Sequence, residues 1–292
     1  MPAGLHHPAP DSADSTADAT VGWSPAFVEA RLAEAMAHGS RIHAIAGLQG
    51  TGKSTLAAQL VAAAHARGIR ALALSIDDFY LGRRDRQRLG RTVHPLCATR
   101  GPPGTHDVPL ACEVLDALGS GTPVRLPRFD KIADRRLPPS RWPVARRIDL
   151  VVFEGWFLKV PPQSAAALHA PVNTLERDED PHGTWRRWAN DALARDYAAL
   201  WQRLPWMLCL RGPGFEVVPD WRWQQELTLQ AAHPGRRAMD HAHVMRFVQF
   251  FERISRHAVA TWPAIADKVV ALDARRRPIS RGTSPSGPPA IR

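Results

Sequence analysis

The sequence predicts an α/β fold with a parallel sheet, built around a phosphate-binding loop. Three observations carry this. Gly47-Leu48-Gln49-Gly50-Thr51-Gly52-Lys53-Ser54 fits G-x-x-x-x-G-K-[ST] without a substitution, and Thr55 extends it. The loop is entered from an apolar, strand-like run at 42–46 and left through Leu56, Leu60 and Ala63 at helical spacing. Further along, short continuous apolar runs alternate with helical patterns, as expected of strands covered on both faces.

The elements follow in order. Residues 42–46 form the first strand. The glycines of the loop let the backbone bend so that successive N–H groups face a β-phosphate. Lys53 reaches the β/γ oxygens and the Ser54 hydroxyl can hold Mg²⁺. A helix begins near Lys53, so the phosphates of a nucleoside triphosphate would sit at its positive end. Gly47, Gln49, Gly50, Thr51, Gly52, Lys53, Ser54 and Thr55 are therefore the predicted nucleotide-binding residues. Further strands are predicted at 71–76, 150–153, 207–210 and 269–272. Leu110, Val114, Leu115 and Leu118 form one helix face, closed by Gly119 as a cap. Trp188, Leu193, Tyr197, Leu200 and Trp201 form a second. Val244, Phe247, Val248, Phe251 and Ile254 form a third, with Asp240 as N-cap. Residues 82–104 and 123–147 are rich in Pro and Arg and poorly periodic. They read as long loops, natural places for an acceptor pocket.

At 292 residues the chain can bury a substantial core. The ordered part is expected at 21–274 as one domain. The polar, aperiodic stretches 1–20 and 275–292 are expected to be disordered. Three cysteines with no C-x-x-C speak against a disulfide framework and a structural zinc site. No run of about 18 apolar residues occurs, and the N-terminus lacks a basic start followed by an apolar stretch. The chain reads as cytoplasmic, with no membrane partner. A formal charge of +10 suits anionic ligands. The arginines are scattered or gathered near the C-terminus, and no nucleic-acid motif accompanies them. A small anionic substrate is thus expected rather than nucleic acid. The oligomeric state is left open.

Leu74-Ser75-Ile76-Asp77-Asp78-Phe79-Tyr80 follows the second strand. Carboxylates there share a crevice with the phosphate loop. A kinase needs such a group to orient an acceptor hydroxyl or take its proton. Asp77 is the favoured base, with Asp78 the runner-up or a supporting partner and Tyr80 beside the acceptor. The plainer alternative is that the two aspartates only cap the strand end. Glu154, ending the apolar run at 150–153, is expected to hold Mg²⁺ together with Ser54. Arg100-Gly101-Pro102-Pro103-Gly104-Thr105-His106-Asp107 combines a stiff backbone with polar groups. Arg100 and His106 are placed near substrate, while Asp107 equally suits a helix N-cap. Asp130 and Lys131 would complete the acceptor site or form a surface ion pair. Arg186, in a polar segment at 176–188, is the candidate cation over the γ-phosphate on a lid. A solvated helix face is the alternative. Arg222 and Glu226, four apart, can pair on a helix, and the neighbouring tryptophans read as core.

These motifs, in the order GLQGTGKST, LSIDDFYL, RGPPGTHD, PRFDK, FEGW and WRWQQE, resemble the plant-type D-glycerate 3-kinase family. That family is similar, more distantly, to uridine kinase, phosphoribulokinase and pantothenate kinase. The resemblance implies a P-loop sheet of about five parallel strands flanked by helices, with a lid segment. It also implies ATP and Mg²⁺ as cofactors and γ-phosphoryl transfer to a small hydroxy acid, most specifically D-glycerate to 3-phosphoglycerate. By position, Lys53 and Ser54 serve the nucleotide, Asp77 the acceptor and Glu154 the metal. Phe157-Leu158-Lys159-Val160 stands where the family has small residues and a glycine, and Val172-Asn173 replaces an expected leucine-asparagine pair. Both changes bear on the acceptor pocket. A kinase with a nucleoside or pantothenate-like acceptor and a non-catalytic nucleotide switch are the rival readings.

Overall fold

The five apolar runs become five parallel strands: β1 (Ile42–Gly47), β2 (Ala71–Ser75), β3 (Leu150–Gly155), β4 (Trp206–Arg211) and β5 (Lys268–Ala271). Their spatial order is β2-β3-β1-β4-β5, with every neighbouring pair parallel. The computed structural model describes residues 22–232 and 239–279. The flanks expected to be disordered lie mostly outside these residues. Among the described residues, no helix is long and apolar enough to cross a membrane.

Side chains alternate along the strands, so the sheet feeds two cores. Ile45, Leu150, Val152, Leu208 and Leu210 pack with α1 (Pro25–His38) and α2 (Lys53–Ala66) through Val28, Leu32, Leu56 and Leu60. On the other face, Ala44, Ala46, Val151, Phe153, Met207 and Cys209 meet a larger core. The helices here are α4 (Val108–Ser120), α6 (Thr184–Ala192, continued through a π-helical turn at Leu193–Tyr197 and a last turn at Ala198–Trp201) and α8 (His241–Ile265). Two elements remain: α5 (Thr174–Glu179) beside α8, and α7 (Val218–Ala232) across from it. The chain after β1 thus covers one face while Trp156, Phe157 and Leu158 after β3 cover the other. The crevice at the carboxyl ends of β1 and β3 lies at this switch, where ligands bind in open α/β sheets.

Local signals set several boundaries. The Asp107 carboxylate accepts from the Leu110 amide and starts α4, and Asp240 does the same for His243 at α8. The C-cap of α4 is Gly121 (φ 79°) rather than the expected Gly119, because the helix runs two residues further to reach left-handed backbone. The stretch 82–104 is not all loop. Arg83–Thr92 forms α3, an arginine-rich helix whose Arg86 turns inward to the Leu81 and Ala98 carbonyls and Asp134. The stretch 123–147 holds two short antiparallel ribbons, Val124–Arg125 with Val144–Ala145 and Phe129–Asp130 with Arg135–Arg136. Past Ala274, where a tail was expected, the chain stays folded: Leu272 bridges Pro278, and the described residues reach Ile279.

Candidate active site

A cleft of about 290 Å³ opens at the carboxyl ends of β1, β2 and β3. Gln49, Gly50, Lys53 and Ser54 form its nucleotide side. The loop leaves β1 at Gly47, where a Cβ would lie 2.8 Å from the Leu210 carbonyl oxygen, so no side chain fits there. Gly50 and Gly52 both take φ 83°, left-handed backbone that glycine supplies without steric cost. Helix α2 then starts at Lys53 with no side-chain cap, leaving its first-turn amides to an anion. The Leu48 carbonyl collects three donors: the Thr51 amide at 3.3 Å, the Thr51 hydroxyl at 2.8 Å and the Lys53 ammonium at 2.9 Å. Lys53 is 8% exposed. Burial lowers its pKa, against the pull of Glu154 and Asp77.

Register places the metal candidates. Glu154 on β3 pairs with Ile45 of β1 on one side and Ser75 of β2 on the other, at the centre of the crevice. The Ser54 hydroxyl donates to its Oε1 at 2.9 Å. Burial raises the Glu154 pKa and Lys53 opposes it. A buried carboxylate beside a hydroxyl is an all-oxygen set suited to Mg²⁺, which takes one or two protein groups and completes its shell with phosphates and water. No cluster of three or more His, Cys, Asp or Glu occurs among the described residues, as this mode of binding requires none.

On the acceptor side, a 3-10 turn at Ile76–Phe79 projects Asp77 into the cleft. The Tyr80 hydroxyl donates to Asp77 Oδ1 at 2.7 Å and the Lys131 ammonium to Oδ2 at 2.7 Å. Burial alone would raise this carboxyl, but Lys131 and Tyr80 outweigh it and hold the pKa at about 2. Arg100 enters the same cleft with its guanidinium on Asp134 at 2.6 Å and 5.7 Å from the Phe129 ring. Lys131 and Arg100 therefore bring two cations to the cleft, the first of them on Asp77 itself.

Four expected residues lie elsewhere. Asp78 makes the capping box of the 3-10 turn: the Ser75 amide donates to it at 3.2 Å and Arg128 at 3.3 Å. It shapes the strand end, and Asp77 alone of the two lines the cleft. Asp130 accepts from the Ile132 and Ala133 amides and closes the ribbon turn that carries Lys131. His106 is buried behind Tyr80, its ring 4.7 Å from the tyrosine ring and its Nδ1 2.6 Å from the Tyr197 hydroxyl. Desolvation lowers its pKa to about 4, so it is neutral near pH 7. Arg186 corrects the lid expectation most directly. It is 4% exposed and donates to the Leu168, His169 and Asp180 carbonyls and to the Asp180 carboxylate. It fastens its segment to the body, and the bidentate pair of Arg253 with buried Glu176 fastens the other end.

Sequence reasoning missed the far wall of the cleft: Trp156, Arg222, Gln225, Phe247 and Phe251. Arg222 was read only as a helix pair with Glu226, which it makes at 3.4 Å. The signal that could have found this wall was the i, i+3 spacing of Arg222 and Gln225 on α7, one polar stripe of a helix packed across the phosphate loop.

The comparisons agree with this geometry. No family model matches the sequence. The chain is 33% identical over 219 residues to a Schizosaccharomyces pombe protein named uncharacterized kinase mug58, covering 71% of this chain and 76% of that one. It is 30% identical over 215 residues to the chloroplastic D-glycerate 3-kinase of Arabidopsis thaliana, covering 68% of this chain but 43% of the longer plant protein. Among solved structures, a D-glycerate 3-kinase from Cryptococcus neoformans superposes with a TM-score of 0.72 at 24% identity, over 87% of this chain and 96% of that one. A phosphate loop, a carboxylate facing it and a shared fold thus converge with sequence similarity over 71% and 68% of this chain: the chain belongs to the D-glycerate 3-kinase family of phosphate-loop kinases.

Proposed function

We propose that the protein transfers the γ-phosphoryl of ATP, with Mg²⁺, to a hydroxyl of D-glycerate, giving 3-phosphoglycerate. The observation that carries this is the pair of cations, Lys131 and Arg100, that share a phosphate-loop cleft with Asp77. A small hydroxy acid brings a carboxylate and a hydroxyl together, and this arrangement offers a cation for the first and an acceptor oxygen for the second. Lys131 donates to Asp77, and a substrate carboxylate would draw it away as the hydroxyl takes its place on Asp77.

Phosphoryl transfer through a loose transition state asks mainly for positioning and charge stabilisation. Ser54 and Glu154 would hold Mg²⁺, which would supply neutralisation of the phosphate charge. Lys53 leaves Leu48 for the phosphate oxygens. Arg222, which lines the cleft beside Gln49 and Gly50, takes the role expected of Arg186. Asp77, a carboxylate that keeps the Tyr80 hydrogen bond once Lys131 is drawn away, is a weak base. It orients the hydroxyl and accepts the proton late, once the bond to phosphorus has largely formed. Its carboxylate has about four lone-pair sites, enough for the hydroxyl beside Tyr80.

The aromatic wall of Trp156, Phe247 and Phe251 favours a second reading, an acceptor with a flat face such as a nucleoside. ADP release from MgATP, measured side by side with D-glycerate, L-glycerate, uridine and pantothenate, separates the two. Turnover with D-glycerate alone is expected. Turnover with uridine alone would overturn the acceptor and keep the kinase.

A further inference from the structure

Two carbonyls of the phosphate loop are held by donors from opposite ends of the folded chain. Trp23, just before α1, donates its indole N–H to the Gly52 oxygen at 3.0 Å. Arg276, beyond β5, donates Nε–H to the Gly50 oxygen at 2.7 Å. In a trans peptide the carbonyl and the following N–H point in opposite directions. Fixing the Gly50 oxygen therefore fixes the Thr51 amide, and fixing the Gly52 oxygen fixes the Lys53 amide. Each plane has a flexible glycine on its N-terminal side. The Gly52 oxygen also accepts the helical bond from the Leu56 amide at 2.9 Å, whereas on the Gly50–Thr51 plane the only backbone bond among the described residues is the long one from the Thr51 amide to Leu48 at 3.3 Å.

The holding of Arg276 is built. Its guanidinium lies 4.9 Å from the Trp221 ring and bonds the Gln224 amide oxygen at 3.0 Å. Trp221 in turn donates to the Ala274 carbonyl at 3.0 Å and abuts the loop so closely that a Cβ at Gly50 would meet its Cβ at 2.6 Å. Arg276 itself has φ 66°, a left-handed backbone that arginine rarely adopts. Asp273 enforces it, accepting from the Arg275 and Arg277 amides at 2.8 and 2.9 Å. The neighbours Arg275 and Arg277 are exposed, while Arg276 is half-buried. An outlying conformation kept in order to place one guanidinium points to a use for it.

We propose that Arg276 is a positioning residue for the nucleotide. It locks the Gly50–Thr51 peptide of the phosphate loop and sets a positive charge behind it, while at Gly52 Trp23 only adds to the helical bond from Leu56. The inference does not depend on the acceptor, because a nucleoside diphosphate alone reads it out. The test is calorimetric titration of MgADP into the full chain. Arg276→Met should weaken MgADP by about tenfold, the scale of one hydrogen bond from a charged donor. Arg276→Lys, which keeps charge and a donor, should recover to within about threefold of the parent. The melting temperature of each ligand-free variant, taken alongside, separates loop positioning from stability. A Met variant that melts lower yet binds MgADP as the parent does would overturn the proposal. So would equal weakening in the Met and Lys variants. Should the Met variant fail to fold, Arg276→Gln is read against the same tenfold.

Discussion

Asp77→Asn tests the central assignment. Asparagine keeps the size of the side chain and an oxygen to accept from the Tyr80 hydroxyl, so the 2.7 Å bond on that side can persist. What is lost is the charge, and with it the bond from Lys131. Lys131 is 57% exposed, so its ion pair is worth about 0–1 kcal/mol and the variant should melt close to the parent. The effect on rate should be far larger. A positioned carboxylate contributes about 10²–10⁴ in rate, or about 3–5.5 kcal/mol of barrier. The assay is kcat at saturating MgATP and acceptor, with MgADP affinity from calorimetry as the control. We expect kcat to fall at least a hundredfold while MgADP affinity stays within about twofold. A variant that kept a tenth or more of the parental kcat would refute the reasoning. The depressed pKa adds a pH dimension. Asp77 is held at about 2 against 3.8 unperturbed, so its contribution to stability is fully present above the upper value. That contribution is lost as the pH falls through the lower one. Asp77 should then put no acid limb on the rate profile between about pH 5 and 8.

Two further substitutions separate structural from catalytic arginines. Arg186→Met leaves Asp180, 1% exposed, as an uncompensated buried charge, and should cost about 3–5 kcal/mol in denaturant unfolding. An unchanged unfolding midpoint with collapsed turnover would restore Arg186 to the phosphates. Arg222→Lys keeps the charge opposite buried Glu226 but loses the planar fork, and should lower kcat by about tenfold or more. A parental kcat in that variant would remove Arg222 from the phosphoryl group.

Much of the site was legible because its chemistry is local. The phosphate loop packs its glycines, lysine and serine into consecutive positions, and the backbone curvature it needs is encoded there. The strand ends that carry Asp77 and Glu154 were legible for a related reason: a continuous apolar run that stops at an acid marks where a buried strand meets a crevice. Asp107 and Asp240 were readable as helix caps, since a cap bonds amides within three residues of itself.

Tertiary structure decided which charges line the cleft and which are spent within the fold. Arg186 and Arg222 look alike in sequence, each in a polar, tryptophan-containing helix. The first is spent on carbonyls up to 18 residues away, and the second lies across from the phosphate loop. Asp130 and Lys131 are neighbours, yet one closes a turn and the other reaches Asp77, 54 positions earlier in the chain. Arg276, in a stretch that composition marks as tail, returns 226 positions to Gly50. The sequence by itself determined a phosphate-loop kinase with its nucleotide cradle and its facing carboxylates. The partners of the arginines came only with the folded chain, because a guanidinium on a long flexible stem suits any acceptor within reach. Which acceptors come within reach depends on how distant segments pack.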